Sequence, residues 1–95
     1  MTSYRITCVV KPDRFSRHEH ITSVGGPAEG GWRATTPQVI QWIESNTYSF
    51  YTFEGGVRAE VGVRETGHGT KYIQTYADGV WGDNLLSLTE CSVGV

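Results

Sequence analysis

TTPQVIQWIESNTYSFYTFEGGVRAEVGV, residues 35–63, carries the two periodicities from which the fold is read. Val39, Ile40, Trp42 and Ile43 recur at helical spacing and form one apolar stripe; Thr36 before them can cap free amides, and Pro37 suits a first helical turn. Asn46 tolerates the left-handed conformation at a helix end, so the pattern predicts a helix over Pro37 to Ser45. The period then changes. Thr47 to Phe53 is β-branched, aromatic or serine, and beyond Glu54-Gly55-Gly56 the residues Val57, Ala59, Val61 and Val63 alternate with Arg58, Glu60, Gly62 and Arg64. That pattern predicts a hairpin.

Downstream, Gly67-His68-Gly69 marks a second turn and Thr70 to Tyr76 a further strand, which completes a three-strand antiparallel meander. Upstream, Tyr4, Ile6, Cys8 and Val10 alternate with Arg5, Thr7 and Val9 as one half-buried strand, and Lys11-Pro12-Asp13 stops it by removing an amide donor. Residues 14–35 turn polar and then glycine-rich, and read as a long loop with a short ordered piece over Glu19 to Val24. Residues 77–95 read as a tail in which Trp81, Leu85, Leu86 and Leu88 cover an end or face of the sheet. The order β, long loop, α, β, β, β predicts an α+β domain, a four-stranded, largely antiparallel sheet with one helix on one face. Only the loop and tail are left to cover the other face, which suggests a thin second layer or a homodimer contact over Tyr48, Phe50, Tyr51 and Phe53.

With 95 residues, 38% of them hydrophobic, the chain is read as a single domain over residues 1–95. Its core is thin for that size, so the aromatic side chains must supply much of the buried area. The formal charge of −2 argues against a general nucleic-acid binder, which carries a strongly basic footprint. The start shows no secretory h-region and no stretch is apolar enough for a membrane span, so a cytoplasmic address without membrane contact is expected. In such a compartment Cys8 and Cys91 are expected as thiols rather than a disulfide. Charge is uneven: residues 1–33 carry five Lys or Arg against three acids, and residues 34–95 carry three against seven. That makes a mildly basic segment able to attract an anion.

His18-Glu19-His20 invites a metal or acid–base reading. On a helix two residues apart point in different directions, and only in an extended segment would both rings share a face, where Cys8 and Cys91 could complete a Cys2His2 set. The separations lack any short C-x-x-C or H-x3-H knuckle, so neither metal nor cofactor is expected. There is no G-x-S-x-G elbow and no phosphate-loop motif, and Asp78 and Asp83 suit turns and caps. What remains is physical: Trp32-Arg33 beside a helix start, where free amides and the helix dipole favour an anion. Trp32, Trp42 and Trp81 could stack bases, but the acidic balance of residues 34–95 speaks against nucleic acid.

Ile6-Thr7-Cys8, His18-Glu19-His20-Ile21 leading to Val24-Gly25-Gly26, Ile40-x-Trp42-Ile43-Glu44, Lys71-Tyr72-Ile73, Ala77-Asp78-Gly79 and Asp83-Asn84-Leu85-Leu86-Ser87-Leu88-Thr89-Glu90-Cys91 together resemble a family of short bacterial proteins known only as a domain of unknown function. Thr89 stands where that pattern often has proline. The resemblance implies an uncharacterised role and marks His18, Glu19, Asp78, Gly79, Asp83, Asn84 and Cys91 as its signature; it carries over no catalytic residue.

The sequence therefore points to a non-catalytic binding or interaction module for an anionic small molecule or a protein partner, with His18, His20, Arg33, Asp78, Asp83 and Asn84 as ligand-binding candidates. The alternative is a small hydrolase or transferase using His18 or His20 with Asp78 or Asp83, or a metal-binding protein using the histidines with Cys8 and Cys91.

Overall fold

The alternating segment from Tyr4 to Val10 is one run of sequence but belongs to two sheets. A computed structural model describes residues 2–11, 17, 20–27 and 31–91; the Pro12-Asp13 stop, His18 and Glu19 lie outside them. In chain order the elements are β1 (Thr2–Arg5), β2 (Cys8–Val10), β3 (Ser23–Gly26), β4 (Trp32–Thr35), α1 (Thr36–Glu44), β5 (Tyr48–Glu54), β6 (Val57–Glu65), β7 (Lys71–Ala77), β8 (Val80–Gly82) and β9 (Thr89–Glu90). A large sheet has the order β1-β5-β6-β7-β8 and a small one the order β4-β3-β2-β9. The switch happens at two consecutive amides: Ile6 donates to the Tyr51 carbonyl of the large sheet, and Thr7 donates to the Gly25 carbonyl of the small one. Ile6 is fully buried at that corner.

The expected α+β class holds, with one α-helix and mostly antiparallel strands among the described residues, but the single four-stranded sheet is corrected to two sheets. The meander β5-β6-β7 is antiparallel as read, whereas β1 joins β5 in parallel. A fourth hairpin strand, β8, was missed. Asp78 and Gly79 both take positive φ, 52° and 80°, in a two-residue turn between the paired Ala77 and Val80, a geometry that matches the twist of the strands it joins.

The long-loop reading of residues 14–35 is corrected at β3 and β4. Gly25 and Gly26 are strand residues whose missing side chains permit close approach. A Cβ on Gly26 would collide with the Arg5 carbonyl oxygen and lie 2.6 Å from Trp32 Nε1; one on Gly25 would lie 2.7 Å from the Trp32 carbonyl oxygen. A glycine pair was read for its freedom to turn when its use here is its lack of bulk.

The helix begins one residue earlier than read. Thr35 is its cap, with Thr35 Oγ1 accepting from the Gln38 amide at 3.3 Å and Gln38 Oε1 accepting from the Thr35 amide at 3.0 Å, a reciprocal capping box. Thr36 is buried and donates instead to the Ile21 carbonyl at 2.8 Å, which ties the helix to the segment leading into β3. Asn46 takes φ 58° just past the helix, as its type allows.

Val39 and Ile40 of the helix stripe are buried with Phe50, Val61 and Ile73 of the large sheet and Val9, Val24 and Ala34 of the small one. Each of these valine, isoleucine and phenylalanine side chains contributes about 1.5 to 3 kcal/mol by leaving water. Leu85 and Leu88 join this core as expected of the tail, while Trp81 lies at the surface, 36% exposed. The helix and small sheet thus cover one face of the large sheet.

The cysteines are corrected too. β9 lies parallel to β2, the Cys91 amide donates to the Val9 carbonyl, and Cys8 and Cys91, with Cα atoms 4.8 Å apart, form a disulfide. Distance along the chain, 83 residues, concealed a neighbour relation that only the strand pairing creates.

Candidate functional site

Where the two sheets and the helix meet, four elements bring aromatic rings together. Tyr4 comes from the inner register of β1, Trp32 from β4, Trp42 from α1, and Tyr48 and Phe50 from alternate positions of β5. The Tyr4 ring lies 5.3 Å from Tyr48, edge to face, and 5.7 Å from Trp32; Trp42 lies 5.3 Å from Tyr48 in the same manner. Phe50 floors the group, 5.7 Å from Trp32 and 6.1 Å from Trp42. Such pairs hold each other in fixed orientations because ring edges are positive and faces negative.

Between these rings is a cavity of about 190 Å³, lined also by Arg33 and Ala34. Arg33 is the one charged residue of the lining; it stands between Trp32 and Ala34 on β4 and is exposed. The Trp32 indole nitrogen is buried without a partner among the described residues, and it packs against Gly26. A ligand in the cavity therefore meets ring faces and ring edges, with Arg33 at the margin.

A wider, shallower groove of about 590 Å³ runs beside the helix, lined by Pro37, Ile40, Gln41, Glu44, Ser45 and Lys71. Its two charges satisfy each other: Lys71 Nζ lies 2.8 Å from Glu44, and this hydrogen bond raises the lysine above its ordinary pKa. It offers a ligand little unspent polarity.

The candidates named from sequence are scattered over the fold. His18 lies outside the described residues. His20 is exposed and its amide donates to the Arg17 carbonyl. Asp78 is at the tip of the β7–β8 hairpin. Asp83 follows β8, where its carbonyl accepts from the Ser87 amide and hydroxyl. Asn84 Oδ1 accepts from buried Thr75 at 3.2 Å, which anchors the tail to β7. Of the five candidates that are described, only Arg33 lines the aromatic cavity. The disulfide keeps both sulfurs out of the thiolate form that the Cys2His2 reading requires, and no group of three or more His, Cys, Asp or Glu among the described residues could hold a metal. Tyr4, Trp32, Trp42, Tyr48 and Phe50 were missed as a site because each had a sufficient local reason to be core.

The profile of the DUF3892 family, described as a protein of unknown function, matches residues 5–89. The chain belongs to the DUF3892 family. The matched span holds every lining residue of the cavity in this DUF3892 protein except Tyr4. No curated protein and no solved structure matches the chain significantly. No helix among the described residues is long and apolar enough to cross a membrane.

Proposed function

We propose that this DUF3892 protein is a non-catalytic binding module whose aromatic cavity takes a small molecule with one planar ring and an anionic group. The observation that carries the reading is the convergence of five rings from four elements on a cavity of about 190 Å³ that also touches Arg33. At about 30 Å³ per water, that space equals roughly six waters, enough for a single substituted ring. Ring faces and edges favour a flat apolar body, and a guanidinium pairs with a carboxylate or phosphate through two parallel hydrogen bonds. The described lining contains no carboxylate, thiol or imidazole; its polar groups are the Tyr4 and Tyr48 phenols, the Trp32 indole and Arg33, which suit recognition of a ligand.

The reading is tested by titrating tryptophan fluorescence with benzoate, phenylacetate and nucleoside monophosphates. Saturable quenching by at least one of them is expected, lost in Trp32→Ala and weakened about tenfold or more in Arg33→Ala, because a charge-assisted hydrogen bond is removed. Linear, unsaturable quenching by all of them would defeat the proposal.

A further inference from the structure

The helix and the small sheet cover one face of the large sheet; among the described residues the opposite face carries three arginines, each over an aromatic ring. Arg58 lies 4.0 Å from the Tyr51 ring centre, Arg64 4.8 Å from that of Trp81, and Arg5 5.6 Å from that of Phe53. The pairs reach from β1 to β8, a width of roughly 19 Å at about 4.8 Å per strand.

The platform is held in place. Trp81 lies across Gly62, and Arg64 over it donates to Gln74 Oε1 at 3.1 Å, while Gln74 Nε2 donates to the Gly82 carbonyl at 3.1 Å. Tyr76 packs edge-on to Trp81 at 5.1 Å. Phe53, Tyr76 and Trp81 are nevertheless 44%, 42% and 36% exposed.

Local charge differs from the chain's net charge of −2. The carboxylates reaching this face, Glu54 and Glu60, are paired with Arg5 and Arg58 at 2.8 Å, while Arg64 faces the neutral amide of Gln74. The other acids among the described residues sit on the helix, at strand ends or at turns: Glu44, Glu65, Asp78, Asp83 and Glu90. The acidic balance that argued against nucleic acid therefore lies mostly off this surface, and an approaching strand responds to the local field.

We propose that this face binds single-stranded nucleic acid, with unpaired bases stacking on Tyr76 and on the outer guanidinium planes above Trp81 and Tyr51, while Arg64, whose partner is a neutral amide, brings the charge that meets a phosphate. Flat rings and guanidinium planes on an open sheet suit unstacked bases, and the same pairing of stacking and charge is what a strand without a partner requires. A second copy of the chain fits less well, since it would set one arginine-bearing face against another.

The test is fluorescence anisotropy of labelled twelve-nucleotide oligo-dT and oligo-U with the full chain, at 50 mM and 200 mM salt. Saturable binding is expected, weakened about 2.5-fold at the higher salt if Arg64 neutralises one phosphate. Trp81→Ala and Arg64→Ala should each weaken it about tenfold, with Tyr76→Ala as a second stacking variant and circular dichroism confirming that each is folded. Three results would overturn the proposal: no binding to either oligonucleotide at 50 mM salt, binding unchanged in a folded Arg58→Ala, Arg64→Ala double variant, or light scattering showing a dimer that Trp81→Ala dissociates and oligonucleotide does not.

Discussion

Trp81 packs against Gly62, so close that a Cβ at residue 62 would come within 2.9 Å of the indole Cη2. Gly62 occupies the outward register of β6 between Glu60 and Arg64, where the alternation would otherwise place a side chain. Substituting Gly62→Val should lift the indole away from the sheet. Because the obstructing atom is the far end of a side chain, the change in stability should stay within about 1 kcal/mol. Tryptophan emission should move to longer wavelength while the urea midpoint barely changes; an unaltered spectrum would show that Trp81 does not depend on this glycine.

Gly26 presents the opposite case. The atom its Cβ would strike first is the Arg5 carbonyl oxygen, part of the backbone where the chain passes from the large sheet to the small one. Backbone cannot move aside cheaply, so Gly26→Ala should destabilise by about 2 to 4 kcal/mol, or prevent folding. Urea unfolding gives the comparison, with Gly56→Ala as a reference in which space is open and only the positive φ of 78° is strained. Equal costs at the two positions would contradict the close packing at Gly26.

The disulfide fastens β9 to β2 and closes a loop that spans 83 residues. Cross-linking so much chain restricts the unfolded ensemble, and its loss should cost about 2 to 5 kcal/mol. Cys8→Ser and Cys91→Ser should show this separately in urea unfolding, and the double variant should add little to either, because both single changes remove one bond. Thiol titration of the denatured, unreduced protein should find no free thiol; two titratable thiols would contradict the bond.

Thr35 and Thr36 have different duties despite being adjacent and alike. Thr35→Ala removes the exposed cap and should cost about 1 kcal/mol. Thr36→Val keeps the shape but leaves the buried Ile21 carbonyl without its hydroxyl donor, for a cost of about 1 to 3 kcal/mol. Helical circular dichroism should fall at elevated temperature in Thr35→Ala, and the Thr36 variant should show the larger drop in global stability. The reverse order would restore Thr36 as the cap.

Local chemistry wrote the helix and the meander plainly into the chain. Val39, Ile40, Trp42 and Ile43 repeat at 3.6 residues and Val57 to Val63 at two, so each element follows from near neighbours in sequence. The two-residue turns at Gly55-Gly56 and Asp78-Gly79 follow from residues that accept positive φ. None of this required a distant contact. Arg33 could be named from sequence because a cation near a helix start is visible locally.

Long-range proximity settled the rest. Whether Gly25-Gly26 turns or pairs depends on the Trp32 and Arg5 backbone pressing against it, and whether Cys8 stays a thiol depends on β9 arriving beside β2. The aromatic cavity exists because Tyr4, Trp32, Trp42, Tyr48 and Phe50, each an ordinary core residue in its own element, meet at the junction of two sheets and a helix. An apolar period says which side of an element is buried, but the identity of its neighbours is set by the free energy of packing the whole chain.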